Sequence, residues 1–149
     1  MNRLERYAPH AARLVLGLMF LVFGLNYFFP FLPQPKEAMP ASALGFLGGL
    51  MGTGYMFPLI KAIEVAAGVL LLANLLVPLA LVLLAPIIVN IVLFHTVLAA
   101  PNPITFLILA AELYLAWSYR ESYRALFVLR ARPHTSADPA APRRVHSRA

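Results

Sequence analysis

Four long apolar runs, separated by proline-rich and polar breaks, set the pattern of this chain. They cover residues 11–29, 55–76, 79–99 and 104–119. A helix rises about 1.5 Å per residue and a bilayer's hydrocarbon core is about 30 Å thick, so about 20 apolar residues cross it. The pattern therefore predicts an all-α fold, a four-helix transmembrane bundle. Pro58 fits a first helical turn, and Pro86 predicts a kink in the third helix.

The connection between the first two runs has a composition of its own. Residues 30–39 are rich in proline, and residues 41–54 are apolar with five glycines. This second stretch is too short to cross a bilayer, so we expect a short Gly-rich interfacial or re-entrant helix between helices 1 and 2. Its Gly48-x-x-x-Gly52 spacing would allow close backbone approach to another helix, and a flexible apolar loop is the alternative.

The composition agrees with a lipid environment. The 149 residues are 61% hydrophobic and 12% charged, and the mean hydropathy is +0.78. Soluble domains have about 45–50% apolar and about 25% charged residues. Most of the 12 basic residues lie before residue 14 or after residue 119, which is typical of charges that flank membrane spans and excludes a nucleic-acid partner. Because the chain has no cysteine, disulfides, thiol catalysis and thiolate-bound clusters are also excluded.

The basic ends also predict the orientation. An even number of spans places both ends on one side of the membrane, and the positive-inside rule makes that side the cytoplasm. We therefore expect a multi-pass protein of the cell (inner) membrane, with a membrane domain over residues 1–130 and a disordered basic cytoplasmic tail over residues 131–149. A cleaved signal peptide is the alternative for the first run, but that run exceeds the usual length of about 7–15 apolar residues.

Few polar side chains interrupt the apolar runs, and they are predicted to share one depth. Counting about 1.5 Å per residue from the outer ends places Glu64, Asn90 and Glu112 roughly 12–14 Å below the outer interface. Lys61, His95 and Asn26 lie nearer to that interface, and the inner half is almost purely aliphatic. With the tyrosine at the outer end of the second run, the candidates for a ligand pocket are Lys61, Glu64, Glu112, His95, Asn90, Asn26 and Tyr55.

The spacing of these candidates indicates which of them can meet. Lys61 and Glu64 are three residues apart and can pair on one helix face. Glu112 needs Lys61 or Asn90 from another helix, or a bound proton. Asn90 and His95 are five residues apart, about 140° around an α-helix, so they should not point at one spot. One interpretation is an outer-leaflet polar pocket for a small ligand, a quinone head group or protons; the other is a set of interhelical contacts that only fix packing.

Three stretches resemble the DoxX family of membrane proteins. The first helix carries Arg13-x-x-x-Gly17, followed by Phe20 and Gly24. The second carries GYMFPLIKAIE at residues 54–64, closed by Gly68, and the third carries PIIVNIVLFH at residues 86–95. The resemblance covers residues 11–119 and is most specific in the second helix.

The resemblance implies a four-helix membrane protein associated with oxidoreductases, some of whose relatives are the small subunit of a thiosulfate:quinone oxidoreductase. The expected function is a subunit or accessory of a quinone-linked membrane redox system. We predict neither a cofactor nor a metal site in the chain itself. The expected ligand is a quinone, and the expected partner is a redox subunit or a second copy of the chain. No catalytic motif occurs, so whether the chain is an enzyme stays open. The alternative is a non-catalytic assembly or binding protein, or a small-solute transporter.

Overall fold

The computed structural model describes residues 3–33, 38–127 and 129, and this part of the chain is helical without any strand. The all-α prediction is therefore confirmed, whereas the predicted tail over residues 131–149 lies outside the described residues. The helices are α1 (Arg3–Phe28), α2 (Ala41–Gly52), α3 (Met56–Ala73), α4 (Val77–Leu93) and α5 (Pro103–Ser118). A π-helix, Phe94–Leu98, continues α4, and a 3₁₀-helix, Arg120–Phe127, follows α5.

Three helical segments are long and apolar enough to cross a bilayer. They are Tyr7–Phe28 within α1, Met56–Ala73, which is α3, and Val77–Leu98, which joins α4 to the π-helix. They correspond to the first three predicted runs. The fourth run corresponds to α5, which has 16 residues and measures about 24 Å at 1.5 Å per residue. The fourth span, and with it the four-helix transmembrane bundle, stays a prediction.

Large apolar side chains cover the outside of these helices. Leu18, Val69, Leu79 and Leu107 each expose about half of their surface. In water, a continuous surface of this kind would drive association, whereas hydrocarbon solvates it. The exposed apolar surface agrees with the lipid environment that the composition predicts.

Local sequence determines where several helices begin and end. Asn102 caps α5 because its Oδ1 accepts a hydrogen bond from the Ile104 N–H, and Pro103 takes the first helical position, where no N–H is needed. Asn74 ends α3 in the left-handed conformation, at φ 57°. After α5 the chain turns at Tyr119 and continues as the 3₁₀-helix.

Four helices surround an aliphatic core. α1 and α4 each contact both α3 and α5. The largest fully buried side chains are Leu16, Leu71, Leu81, Leu84, Ile88 and Leu115. We call the end of the molecule where α1 ends and α3 begins the outer end. Most of this core lies toward the opposite, inner end, as the aliphatic inner half of the sequence predicts.

Glycines allow α1 and α3 to approach each other closely. A Cβ atom added to Gly68 would lie 2.7 Å from the backbone nitrogen of Leu21 and 2.9 Å from the carbonyl oxygen of Gly17. One added to Gly24 would lie 3.1 Å from the backbone nitrogen of Val65. Small residues of this kind are typical of helix contacts in membranes, where close backbone packing stabilises the pair.

The glycines of α2 are not used in this way. A Cβ added to Gly48 or Gly52 would meet no atom within 4 Å, so the predicted close approach at this motif is wrong within the chain. α2 faces its neighbours with another side, on which Ala43 is buried and the Ser42 hydroxyl donates to the Leu98 carbonyl at 3.0 Å. The segment is a helix rather than a flexible loop, and it lies against α3 and the π-helix.

Candidate functional site

The centre of the candidate site is an ion pair on α3. Lys61 Nζ donates to both carboxylate oxygens of Glu64, at 2.8 and 3.1 Å, as their spacing of three residues predicts. The Glu64 side chain is only 3% exposed, and that of Lys61 is 18% exposed. Lys61 Nζ also lies 5.4 Å from the centre of the Phe57 ring, within cation–π range. Each charge is thus paired, which lowers the cost of placing it among apolar side chains.

A cavity of about 330 Å³ lies beside this ion pair, between α2, α3 and α4 with its π-helix. We call it the lateral cavity. Its polar lining residues are Lys61, Glu64, Asn90 and His95. Its apolar lining residues are Phe46, Leu47, Leu50, Phe57, Ile60, Pro86, Ile87, Ile91 and Phe94. An apolar pocket of this size with a few converging polar groups is typical of a site for a small molecule.

His95, in the π-helix, lines the same cavity as Asn90 of α4. The prediction that their side chains do not point at one spot stays a prediction. At Phe94 the backbone changes to hydrogen bonds between residues five apart, such as the one that the Ala99 N–H donates to the Phe94 carbonyl. His95 Nδ1 lies 3.3 Å from the Ala100 carbonyl oxygen, so Nε2 is the ring nitrogen that a guest could contact.

α2 forms one wall of the lateral cavity, although no polar pattern in its sequence indicates a site. The Phe46 ring of α2 packs against the Phe94 ring of the π-helix, with 5.9 Å between the ring centres. A groove continues from the cavity along the outside of the molecule, lined by Phe46, Asn90, Leu93, Phe94, Val97 and Leu98. Since Leu93 and Val97 are exposed on the outside of the helices, the cavity and groove together open sideways, on the flank of the molecule.

Glu112 lies apart from the lateral cavity. It is buried on the face of α5 that also carries Ile108 and Leu115, and its Oε2 has no hydrogen-bond partner among the described residues. Lys61, one of its two expected partners, is held by Glu64 instead. The two glutamates therefore belong to different surroundings, one paired and one packed in the core.

Two other candidates also lie outside the lining of the lateral cavity. Asn26 Oδ1 accepts the backbone N–H groups of Phe31 and Leu32 at 3.0 and 2.8 Å, so this amide holds the chain that follows α1. Tyr55 immediately precedes α3 and is exposed.

Arg13 is a buried polar residue that the sequence indicated only as a flanking charge. It is 7% exposed, and its guanidinium donates from α1 to the carbonyl oxygens of Leu71 and Leu72 in the last turn of α3. A cation at a helix C-terminus is stabilising because the carbonyl dipoles point toward it. The signal lay in the spacing to Gly17, one turn away on the helix face that contacts α3.

Comparison with known proteins supports the resemblance. A DoxX family model matches residues 8–97, more than half of the chain. The matched part contains all four polar residues of the lateral cavity and ends before α5. No curated protein and no solved structure matches the chain.

Proposed function

The chain belongs to the DoxX family of membrane proteins, and from this premise we propose that it is a four-span subunit or accessory of a quinone-linked redox system. In this proposal the protein lies in the inner membrane with both termini in the cytoplasm. It binds a quinone in the lateral cavity and carries no cofactor of its own. The observation that carries the proposal is the pair of buried Glu64 with partly buried Lys61 at the wall of an aromatic cavity.

The chemistry of the lateral cavity suits a quinone head group. A quinone ring is flat and carries carbonyl oxygens, which need hydrogen-bond donors. Lys61 uses two N–H contacts on Glu64 and has a third to offer, and the amide of Asn90 supplies further donors. The rings of Phe46, Phe57 and Phe94 line the apolar part, and the sideways opening would allow an isoprenoid tail to stay in hydrocarbon.

The packing of the inner half favours binding over solute transport. Leu71, Leu84 and Leu115 are fully buried in one continuous apolar cluster between the helices. Interiors packed in this way contain few voids larger than a water molecule. A transporter would need a second arrangement of these helices, whereas a binding subunit needs only the observed one.

The ion pair offers a direct test. The double variant Lys61→Met with Glu64→Met replaces both charges with apolar groups of similar size, so no unpaired charge remains. We expect it to accumulate in membranes at normal levels and to lose at least tenfold in labelling by a photoreactive quinone analogue. The matched control is Glu121→Met with Arg124→Met, which removes an exposed ion pair of the same spacing at 2.9 Å and should leave labelling unchanged.

The same experiment addresses the alternative, in which the charges only fix the helix register of an assembly protein. In that case labelling of the first double variant would equal that of the control, and the proposal would be wrong. The single variant Glu64→Gln adds a functional measurement, since quinone-linked activity of membranes should fall when this carboxylate is lost. Unchanged activity would count against the redox role.

A further inference from the structure

Three cavities meet at Lys61. The lateral cavity is one of them. A second, of about 230 Å³, lies among α1, α3, the π-helix and the start of α5. We call it the inner cavity because it lies between the helices, although it is nearer to the outer end of the molecule. A third, of about 320 Å³, is lined at the outer end of α1 by Phe23, Asn26, Tyr27, Pro30 and Lys61, and we call it the outer cleft. The inner cavity and the outer cleft share both Phe23 and Lys61, so they are neighbours along one path.

The inner cavity reaches the ion pair from the side opposite to α2. It shares Lys61, Glu64, Ile91 and His95 with the lateral cavity, so the ion pair forms a partition between the two. Its remaining polar residues are Asn102 and Thr105, at the beginning of α5. Its apolar lining is Met19, Phe20, Phe23, Ile104 and Ile108.

The polar groups of the inner cavity are suited to water. Thr105 lines it although the residue is only 2% exposed, so a hydroxyl group that can donate and accept hydrogen bonds lies at the cavity wall. Asn102 uses its Oδ1 to cap α5, so its amide N–H groups remain for a guest. A cavity holds water when it is polar and roomy, and 230 Å³ accommodates several molecules of about 30 Å³ each.

We propose that the inner cavity and the outer cleft form a hydrated port through which water and protons from the outer side reach Glu64. A hydronium ion in the port transfers its proton to a Glu64 carboxylate oxygen, which leaves water and a neutral carboxyl group. The charged and titratable groups around this carboxyl are Lys61 on its own helix and His95 from the π-helix. α1 contributes only apolar side chains to the inner cavity, and its Asn26 and Tyr27 line the outer cleft. Glu112 lies one turn of α5 beyond Ile108, outside the lining. The aliphatic core closes the port toward the inner end.

The absence of native cysteine permits a direct test, since any introduced thiol is the only one in the chain. Ile108→Cys places a thiol in the inner cavity, and Leu107→Cys places one at nearly the same depth of α5 on the lipid-facing side, where the residue is 57% exposed. The probe is 2-(trimethylammonium)ethyl methanethiosulfonate, a permanently charged thiol reagent, applied to the outside of intact cells. Because the thiolate is the reacting form and needs water to ionise, we expect Ile108→Cys to react at least ten times faster than Leu107→Cys.

Two results would overturn the proposal. Equally slow reaction of both variants would mean that the inner cavity is dry, and reaction of Ile108→Cys only after permeabilisation would mean that it opens inward. Thr105→Cys, nearer to the mouth of the port, serves as a second variant if Ile108→Cys does not accumulate. Full labelling of each variant after denaturation controls for its amount. No quinone enters the experiment, so a negative result here would not count against the proposed quinone site, which has its own labelling test.

Discussion

At the scale of single residues, the contact between α1 and α3 depends on Gly68. In Gly68→Ala the new methyl group would meet backbone atoms of Leu21 and Gly17 at 2.7–2.9 Å, and backbone cannot rotate away as a side chain can. We expect a loss of about 1–3 kcal/mol in the free energy of unfolding, because the helices must separate. Unfolding in mixed detergent micelles would measure it.

The matched control for this substitution is Gly48→Ala on α2, where the added methyl group meets nothing within 4 Å. Alanine favours helix over glycine by about 0.8–1 kcal/mol, so this variant should be as stable as the parent or more stable. Equal losses from both substitutions would contradict the close helix contact and indicate a general intolerance of alanine.

How far single residues can be predicted from the sequence depends on the distance over which they interact. The Lys61–Glu64 pair follows from a spacing of three on one helix, because local geometry alone brings the groups together. The surroundings of Glu112 do not follow in this way, since they depend on which faces of separate helices meet. Equal depth in the membrane is compatible with several rotations of each helix, so depth alone grouped Glu112 with a cavity that it does not line.

At the scale of elements, Arg13 links α1 to the end of α3. Arg13→Met would remove charged hydrogen bonds to the carbonyl groups of Leu71 and Leu72. A hydrogen bond that involves a charged group contributes about 1.5–3 kcal/mol to stability. We expect a loss of about 1–3 kcal/mol, since one of these carbonyl groups keeps a backbone donor from Asn74.

Arg124→Met is the comparison for this loss, because Arg124 pairs with Glu121 on an exposed surface and surface substitutions usually change stability by less than about 0.5 kcal/mol. Chemical denaturation of both variants in the same micelles would measure the difference. A loss for Arg13→Met no larger than that for Arg124→Met would show that Arg13 acts only as a flanking charge.

Helix existence and helix geometry were predictable to different degrees. Long apolar runs and capping residues such as Asn102 indicate the helices well, since both act within a few residues. The π-helix at Phe94–Leu98 has no such signal, because an apolar run does not specify whether hydrogen bonds join residues four or five apart. His95 in this π-helix and Asn90 in α4 both line the lateral cavity. The packed glycines were likewise found on α1 and α3, rather than on the glycine-rich α2.

At the scale of the whole molecule, charge and polarity divide the protein into two ends. Three basic residues precede residue 14 and seven follow residue 119, while Lys61, Glu64 and the cavities lie toward the outer end. A bilayer with this orientation would have its aqueous port outside and its packed aliphatic core toward the cytoplasm. The side on which the C-terminus lies depends on α5. Among the four helices that surround the core, α5 is the one that is shorter than a usual membrane span.

We expect α5 to cross despite its 16 residues. A bilayer can thin locally at modest cost, Trp117 and Tyr119 suit an interface, and the arginines that follow would be held in the cytoplasm. Reporter fusions decide the matter: alkaline phosphatase, active only outside, should be active after residue 101 and inactive after residues 76 and 149, whereas a cytoplasmic fluorescent reporter should show the reverse. Active phosphatase after residue 149 would mean that α5 returns to the outer side, and the chain would then have three spans with its basic end outside.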